Sequence, residues 1–181
     1  MSGVSRTIYL TATTLDGFLA DPDDSLEWLF VVDAGDHEGD HARFMTGVGA
    51  IVMGASTYEW VVEHEEGRWG YSQPTWVMTH RELPSVDGDV RFVAADDDEA
   101  VISLHDELVA AAGDLDVWVV GGGELAARFV DVGRLDEIEV AVAPVTLGAG
   151  KPLLPRHVEL TTLEVEQMVD FARIRYRVGR S

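Results

Sequence analysis

The sequence predicts an α/β domain, with a mostly parallel central sheet covered by helices on both faces and antiparallel strands at its end. Three observations predict it. Short strand-like runs alternate with stretches at helical spacing between residues 7 and 143. Two of those runs, Val48 to Met53 and Val117 to Val120, are apolar, as parallel strands buried on both faces are. From Leu160 to Val178 strand alternation recurs with no helical stretch inside it, which fits antiparallel pairing.

In chain order, Thr7 to Ala12 is β-branched and aromatic enough for a strand, and Leu15-Asp16-Gly17 is a turn. The stretch ADPDDSLEW is rich in turn formers and includes Asp21-Pro22, so it reads as an ordered loop before Trp28. His37 to Thr46 is a short helix with Asp36 as its N-cap, and Val48 to Met53 follows as a buried strand. Gly54 opens a turn into a helix over Thr57 to Glu63, and a polar loop then runs to Ser72. Pro74 to Thr79 and Val90 to Val93 are short strands. Val101, Leu104, Leu108 and Ala111 give Ala100 to Ala112 helical spacing, and the acids Asp96 to Glu99 sit at the end of that helix where its dipole favours negative charge. Val117 to Val120 is a strand stopped by three glycines, Glu124 to Val130 a short helix, and Leu135 to Ala143 another strand.

Composition bounds the function. The chain has 181 residues, a length that suits one domain spanning 1–181, and 46% hydrophobic with 25% charged residues is the balance of a globular protein. It has no cysteine, which removes disulfides, thiolate nucleophiles and cysteine-bound metals. A net charge of −20 repels phosphate backbones and anionic lipids, so neither nucleic acid nor membrane is an expected partner. The opening MSGVSRTIYL carries no long apolar stretch, and no run approaches the length of a membrane span, so a cytoplasmic protein is expected. His37 and His41 stand four apart beside Glu38 and Asp40 but lack the HExxH order and a third ligand, so no metal is expected. Arg173, Arg175, Arg177 and Arg180 recur at the C-terminus opposite Ile174, Tyr176 and Val178. That apolar face is a candidate homodimer surface, its arginines requiring carboxylates of a second copy to avoid repulsion.

Two segments carry the chemistry. VWVVGGGELAARF takes a strand through glycines into a helix, and IVMGASTYEW does the same at Gly54. Glycine leaves room for a ligand against the backbone, and unpaired N–H groups at a helix start receive an anion. In this architecture both units open at the carboxyl ends of strands, where ligands bind.

With TATTLDGFLA, Trp28, PTWVMTHREL and LDEIEVAVAPVTLGAGKPLLP in the same order, these segments make the chain resemble the dihydrofolate reductase-like superfamily over nearly its whole length. It is more similar to the branch holding the reductase domain of the bifunctional riboflavin-biosynthesis deaminase–reductase. The resemblance implies a three-layer αβα fold and an NADPH-dependent reductase of a pyrimidine- or pterin-like heterocycle. It implies that the backbones of Ala12, Leu19 and Ala20 meet the carboxamide of nicotinamide, and that Asp16 and Gly17 begin a loop closing over it. Trp28 would stand in the active site. Gly54, Ser56 and Thr57 would lie on the phosphate side, and Thr79, His80 and Arg81 at the adenosine phosphate. Gly121, Gly122, Gly123, Glu124, Leu125 and Ala126 would lie under the pyrophosphate. Asp16, Asp33, Glu38 and water are the candidate proton sources.

Departures from the family pattern bear on substrate. Dihydrofolate reductases place an arginine where this chain has Ala55, leaving His80 and Arg81 as cations for the 2′-phosphate, and their folate-tail arginine falls at Gln73. The riboflavin branch usually has a glutamate at Gly121 and an arginine segment where this chain has TYEWVVEHEEGRWG, with Arg68 its one positive charge. The deaminase zinc signature needs cysteines and is absent. A non-catalytic nucleotide-binding module and a dihydrofolate reductase-type enzyme are the alternatives.

Overall fold

A computed structural model of the chain describes residues 5–179, so Arg180 and the first four residues of the opening segment lie outside it. Eight strands form one sheet: β1 (Thr7–Thr14), β3 (Val48–Gly54), β4 (Thr75–Met78), β5 (Val90–Val93), β6 (Asp116–Gly121), β7 (Glu137–Ala143), β9 (Leu160–Met168) and β10 (Phe171–Val178). Their order is β5-β4-β3-β6-β1-β7-β10-β9. Pairing is parallel from β5 through β7 and antiparallel for β7-β10 and β10-β9, as the sequence predicts.

Helices cover both faces. On one, α4 (Asp98–Ala112) and α5 (Gly123–Asp131) bury Val101, Leu104, Leu108, Leu125 and Phe129 against Tyr9, Val52, Val117 and Val140. On the other, Tyr58 of α3 (Ala55–His64) and Phe44 of α2 (His37–Met45) pack on Ile51, Met53 and Trp118. Alternate residues of β3 and β6 thus enter opposite cores, which is why those strands are apolar on both faces. No helix among the described residues is long and apolar enough to cross a membrane.

Three elements differ from the sequence expectation. β1 runs two residues past Ala12, because β7 pairs with it as far as Thr14↔Ala143. The loop before Trp28 contains a short strand, β2 (Phe18–Ala20), paired with β8 (Lys151–Pro152), and a one-turn helix, α1 (Glu27–Phe30). Trp28 itself, only 7% exposed, packs with Ala143 and Phe171, and its indole N–H donates to the Leu19 carbonyl at 3.1 Å.

Two of the C-terminal arginines find carboxylates within the chain. Arg173 lies 3.4 Å from Asp40 of α2, 3.5 Å from Glu139 of β7 and 3.4 Å from Glu166 of β9, and Arg175 lies 3.2 Å from Glu164. Burial pushes the Glu139 carboxyl up, and the two guanidinium groups oppose that shift. Ile174, Tyr176 and Val178 pack partly buried against the α4–α5 core. Arg173 and Arg175 are therefore part of an ionic ladder within the chain, correcting for these two the expectation that they need acids from a second copy.

Candidate active site

The carboxyl ends of β3, β6 and β1 lie side by side, and two structural features make that edge a candidate binding site. The first is a splay. β1 pairs with β7 over seven positions, Ile8 to Thr14, but with β6 only over Thr7 to Tyr9. Beyond Tyr9 the β6 side of β1 has no ladder partner; the Leu10 carbonyl accepts the Trp118 indole N–H at 3.2 Å instead. The backbone of Ala12, one residue on from Thr11, thus borders a crevice between adjacent parallel strands, where ligands enter doubly wound sheets.

The second is a pair of bare helix starts. α3 begins on Gly54 and α5 on Gly122, each in extended backbone and each without a side-chain cap. Their strands are neighbours, with Met53 in register with Gly121. The first α5 amide with an intrahelical acceptor is Ala126, bonded to the Gly122 carbonyl at 3.1 Å, so those of Gly123, Glu124 and Leu125 precede the helical ladder. Dipole and free N–H groups both favour an anion here.

The three glycines divide the work. A Cβ on Gly122 would meet nothing nearer than Leu19 Cδ1 at 4.0 Å, and one on Gly121 nothing nearer than the Thr57 hydroxyl at 3.7 Å, so the space over both is open. A Cβ on Gly123 would collide with the backbone carbonyls of Pro152 and Leu153. Gly123 therefore serves internal packing, and only Gly121 and Gly122 fit the expectation of room for a ligand. The peptide joining those two is cis. The edge could hold a pyrophosphate: it has room over two glycines and is flanked by two uncapped helix starts. Thr57 lies between the two units, and Ser56 is exposed at the first turn of α3.

The loop after β1 is tied down by Asp16. Its carboxylate accepts the Thr14 hydroxyl at 2.6 Å and the amides of Leu147 and Gly148 at 3.1 and 2.7 Å. Those bonds, the hydroxyl first, hold its pKa below the usual carboxylate range. Asp16 thus joins the loop to residues 147–148 as an acceptor, and Gly17 continues the join by accepting the Leu153 amide at 2.9 Å. Ala20 is held in the β2–β8 pairing opposite Lys151. The protonated carboxyl that a proton donor requires is disfavoured at Asp16.

Of the other candidates, Asp33 is exposed and accepts the Gly35 amide at 2.9 Å in the turn leading to α2, and Glu38 is exposed on that helix. Trp28 is a buried wall that sets β2 through Leu19. His41 packs edge-on against Trp118, 5.6 Å between centroids, with His37 stacked beyond it at 6.3 Å; burial, then the His37 charge, lowers the His41 pKa. Gln73 donates to the Val48 carbonyl at 3.4 Å, at the start of β3 and so at the opposite end of that strand from Gly54. Arg68 is exposed beside Glu66 at 3.9 Å.

At the ends of β4 and β5, Thr79 accepts the Arg81 amide through its hydroxyl at 2.9 Å. Both expected phosphate cations there are engaged. Arg81 is bidentate to Glu59 of α3, at 2.9 and 2.5 Å, and His80 Nε2 lies 2.6 Å from Asp96. Sequence reasoning missed these pairs and the β1–β6 splay.

The family model described as RibD C-terminal domain matches residues 6–172. The uncharacterized protein YwjB of Bacillus subtilis is 29% identical over 170 residues, covering 93% of each chain. A putative riboflavin biosynthesis protein from Shewanella sp. PV-4 superposes with a TM-score of 0.80 at 24% identity, covering 97% of this chain and 99% of its own. RibD of Acinetobacter baumannii gives 0.70 at 15% identity, with 97% of this chain matched to 58% of that one.

Proposed function

Because the chain belongs to the RibD C-terminal domain family, we propose that it is a reductase that passes a hydride from NADPH to a pyrimidine- or pterin-like heterocycle, of the kind reduced in riboflavin biosynthesis. The observation that carries this reading is the pair of uncapped helix starts on neighbouring strands, beside the splay of β1 from β6. In a chain of charge −20, backbone amides are left unshielded there and nowhere else among the described helices of nine residues or more, since α2 and α4 are capped by Asp36 and Asp97.

When bound, NADPH supplies the hydride, and the protein's part is orientation and exclusion of water. The amides of Gly123, Glu124 and Leu125 would hold the pyrophosphate, with Thr57 beside it. The free backbone edge of β1 at Ala12 would meet the carboxamide. Trp28 sets the Leu19 segment, and the Asp16 clamp fixes the loop that borders the pocket. Asp16 is kept ionised, which leaves Asp33, Glu38 and water as the proton sources.

Titration with NADPH by nicotinamide fluorescence, followed by turnover of a ribosylamino-pyrimidine beside dihydrofolate, tests the reading. Binding with turnover of the pyrimidine is expected. Dihydrofolate should be reduced poorly, since Gln73, at the far end of β3 from Gly54, offers a glutamate tail no positive charge at the site; comparable rates on folate overturn the substrate class. Homodimerisation belongs to the same reading. With Arg173 and Arg175 already paired, the contact would be apolar, through edge strand β9, where Val165 is 66% exposed. Sedimentation equilibrium should then show a dimer insensitive to salt, and a monomer at micromolar concentration in both low and high salt removes it.

A further inference from the structure

We infer that this chain does not select for the 2′-phosphate of its dinucleotide and takes NADH about as well as NADPH, because Arg81 and His80 are held by the protein's own carboxylates, Glu59 and Asp96. The inference rests on the dinucleotide reading above and concerns only the adenosine end.

Position comes from the sheet. With pyrophosphate at the α5 and α3 starts, over β6 and β3, and nicotinamide in the splay toward β1, the adenosine end of an extended dinucleotide runs the other way, over β4 and β5. β4 lies two strand spacings from β6, about 10 Å. At the carboxyl ends of β4 and β5 stand Thr79, His80, Arg81 and Asp96.

Charge decides what that end can hold. Arg81 is the strongest anion ligand there, and both arms of its guanidinium are taken by Glu59 in fork-to-fork geometry. His80 Nε2 faces Asp96 Oδ1. Asp97, next in the chain, spends its carboxylate on the Ala100 amide at 2.8 Å. Arg91 of β5 is also engaged, bonded to Asp89 at 3.0 and 3.1 Å and lying 4.4 Å over the Trp76 ring. Ala55, opening α3, adds only a methyl group.

The pairs are exposed, with 58% and 41% of the Arg81 and Glu59 side chains accessible, so each is individually weak. A phosphate could displace Glu59 at small cost, but the carboxylate would stay close by and repel it. Attraction to Arg81 and repulsion by Glu59 and Asp96 then nearly cancel. A ribose hydroxyl suffers no such repulsion, and a carboxylate can accept a hydrogen bond from it, as acidic residues do for the 2′-hydroxyl in NAD sites.

The test is binding, read by nicotinamide fluorescence at about 0.15 M salt for NADH and NADPH in the wild type, Glu59→Gln and Arg81→Ala. The wild-type dissociation constants should agree within about tenfold. Glu59→Gln, which frees Arg81 and removes a charge, should shift their ratio about tenfold toward NADPH, and Arg81→Ala, which leaves Glu59 and Asp96 unopposed, should shift it toward NADH. A wild-type preference for NADPH above tenfold that Arg81→Ala abolishes overturns the inference and leaves the reductase reading standing. Failure of both dinucleotides to bind overturns the reductase reading itself.

Discussion

Two helices of this protein begin on aspartate and two on glycine. Asp36 accepts the Gly39 amide at the head of α2, and Asp97 accepts the Ala100 amide at the head of α4; α3 and α5 start on Gly54 and Gly122 with no side-chain acceptor. Position alone does not explain the difference, because α4 follows β5 just as α3 follows β3 and α5 follows β6. Where a helix start has only to be stable, the chain supplies its own carboxylate. At neighbouring strands β3 and β6 it supplies none, and an incoming anion would complete the helix. The contrast marks the proposed binding edge more sharply than the glycines do, since Gly123 is there for packing.

The comparison breaks most severely if an aspartate is moved to the bare side. Gly54→Asp gives α3 a cap in backbone that already has cap-like extended geometry, with ordinary room for a Cβ 3.8 Å from the Gly121 carbonyl. It should weaken dinucleotide binding by about 3 kcal/mol, over a hundredfold, by like-charge repulsion, while raising unfolding stability by only about 0.3 kcal/mol, glycine being already a fair cap. Binding and urea denaturation read the two effects separately, and unchanged affinity would remove α3 from the site.

Next in size is the division among the glycines. Gly123→Ala should destabilise the fold by about 2 kcal/mol, since its methyl meets the carbonyls of residues 152 and 153. An equal loss of stability from alanine at Gly122, whose φ of −91° suits any residue, would contradict the room assigned there.

On the capped side, Asp97→Ala should cost about 1 kcal/mol of stability and leave dinucleotide affinity alone, because that aspartate serves the helix. A large change in affinity would place α4 in the site after all.

The smallest effect is a slope with pH. His105 of α4 bonds Thr7 at 2.8 Å, and burial, opposed in part by Asp106 and Asp136, lowers its pKa. The unfolded chain therefore takes up the proton first as pH falls, so this contribution is complete above the ordinary histidine range and is lost on acidification through and below it. Denaturation midpoints between pH 8 and pH 5 should fall, and His105→Gln should flatten that part of the curve. Asp16 behaves alike at lower pH: its pKa is also depressed, so its stabilisation is present at neutrality and disappears only in acid.

Much of this was legible in the residues. Apolar runs marked β3 and β6 because burial on both faces leaves no polar positions, and Asp36 was readable as a cap because its helix begins one residue later. The glycine units pointed to the edge where the two uncapped helix starts lie. β2, β8 and α1 were not legible, since they lie among turn formers and glycines and exist only through β2–β8 pairing and the burial of Trp28.

By itself, then, the sequence determined what local rules govern: the order of helices and strands, the apolar faces, the helix starts, and an acidic surface hostile to polyanions. Tertiary structure decided what depends on residues far apart in the chain. It parted β1 from β6 and turned Asp16 from a candidate acid into a clamp on residues 147–148. It set Glu59 against Arg81, 22 positions away, and Glu139, Glu164 and Glu166 against the arginines of β10. A charge in a sequence is only a count; whether it is free to meet a ligand depends on which opposite charge the fold brings beside it.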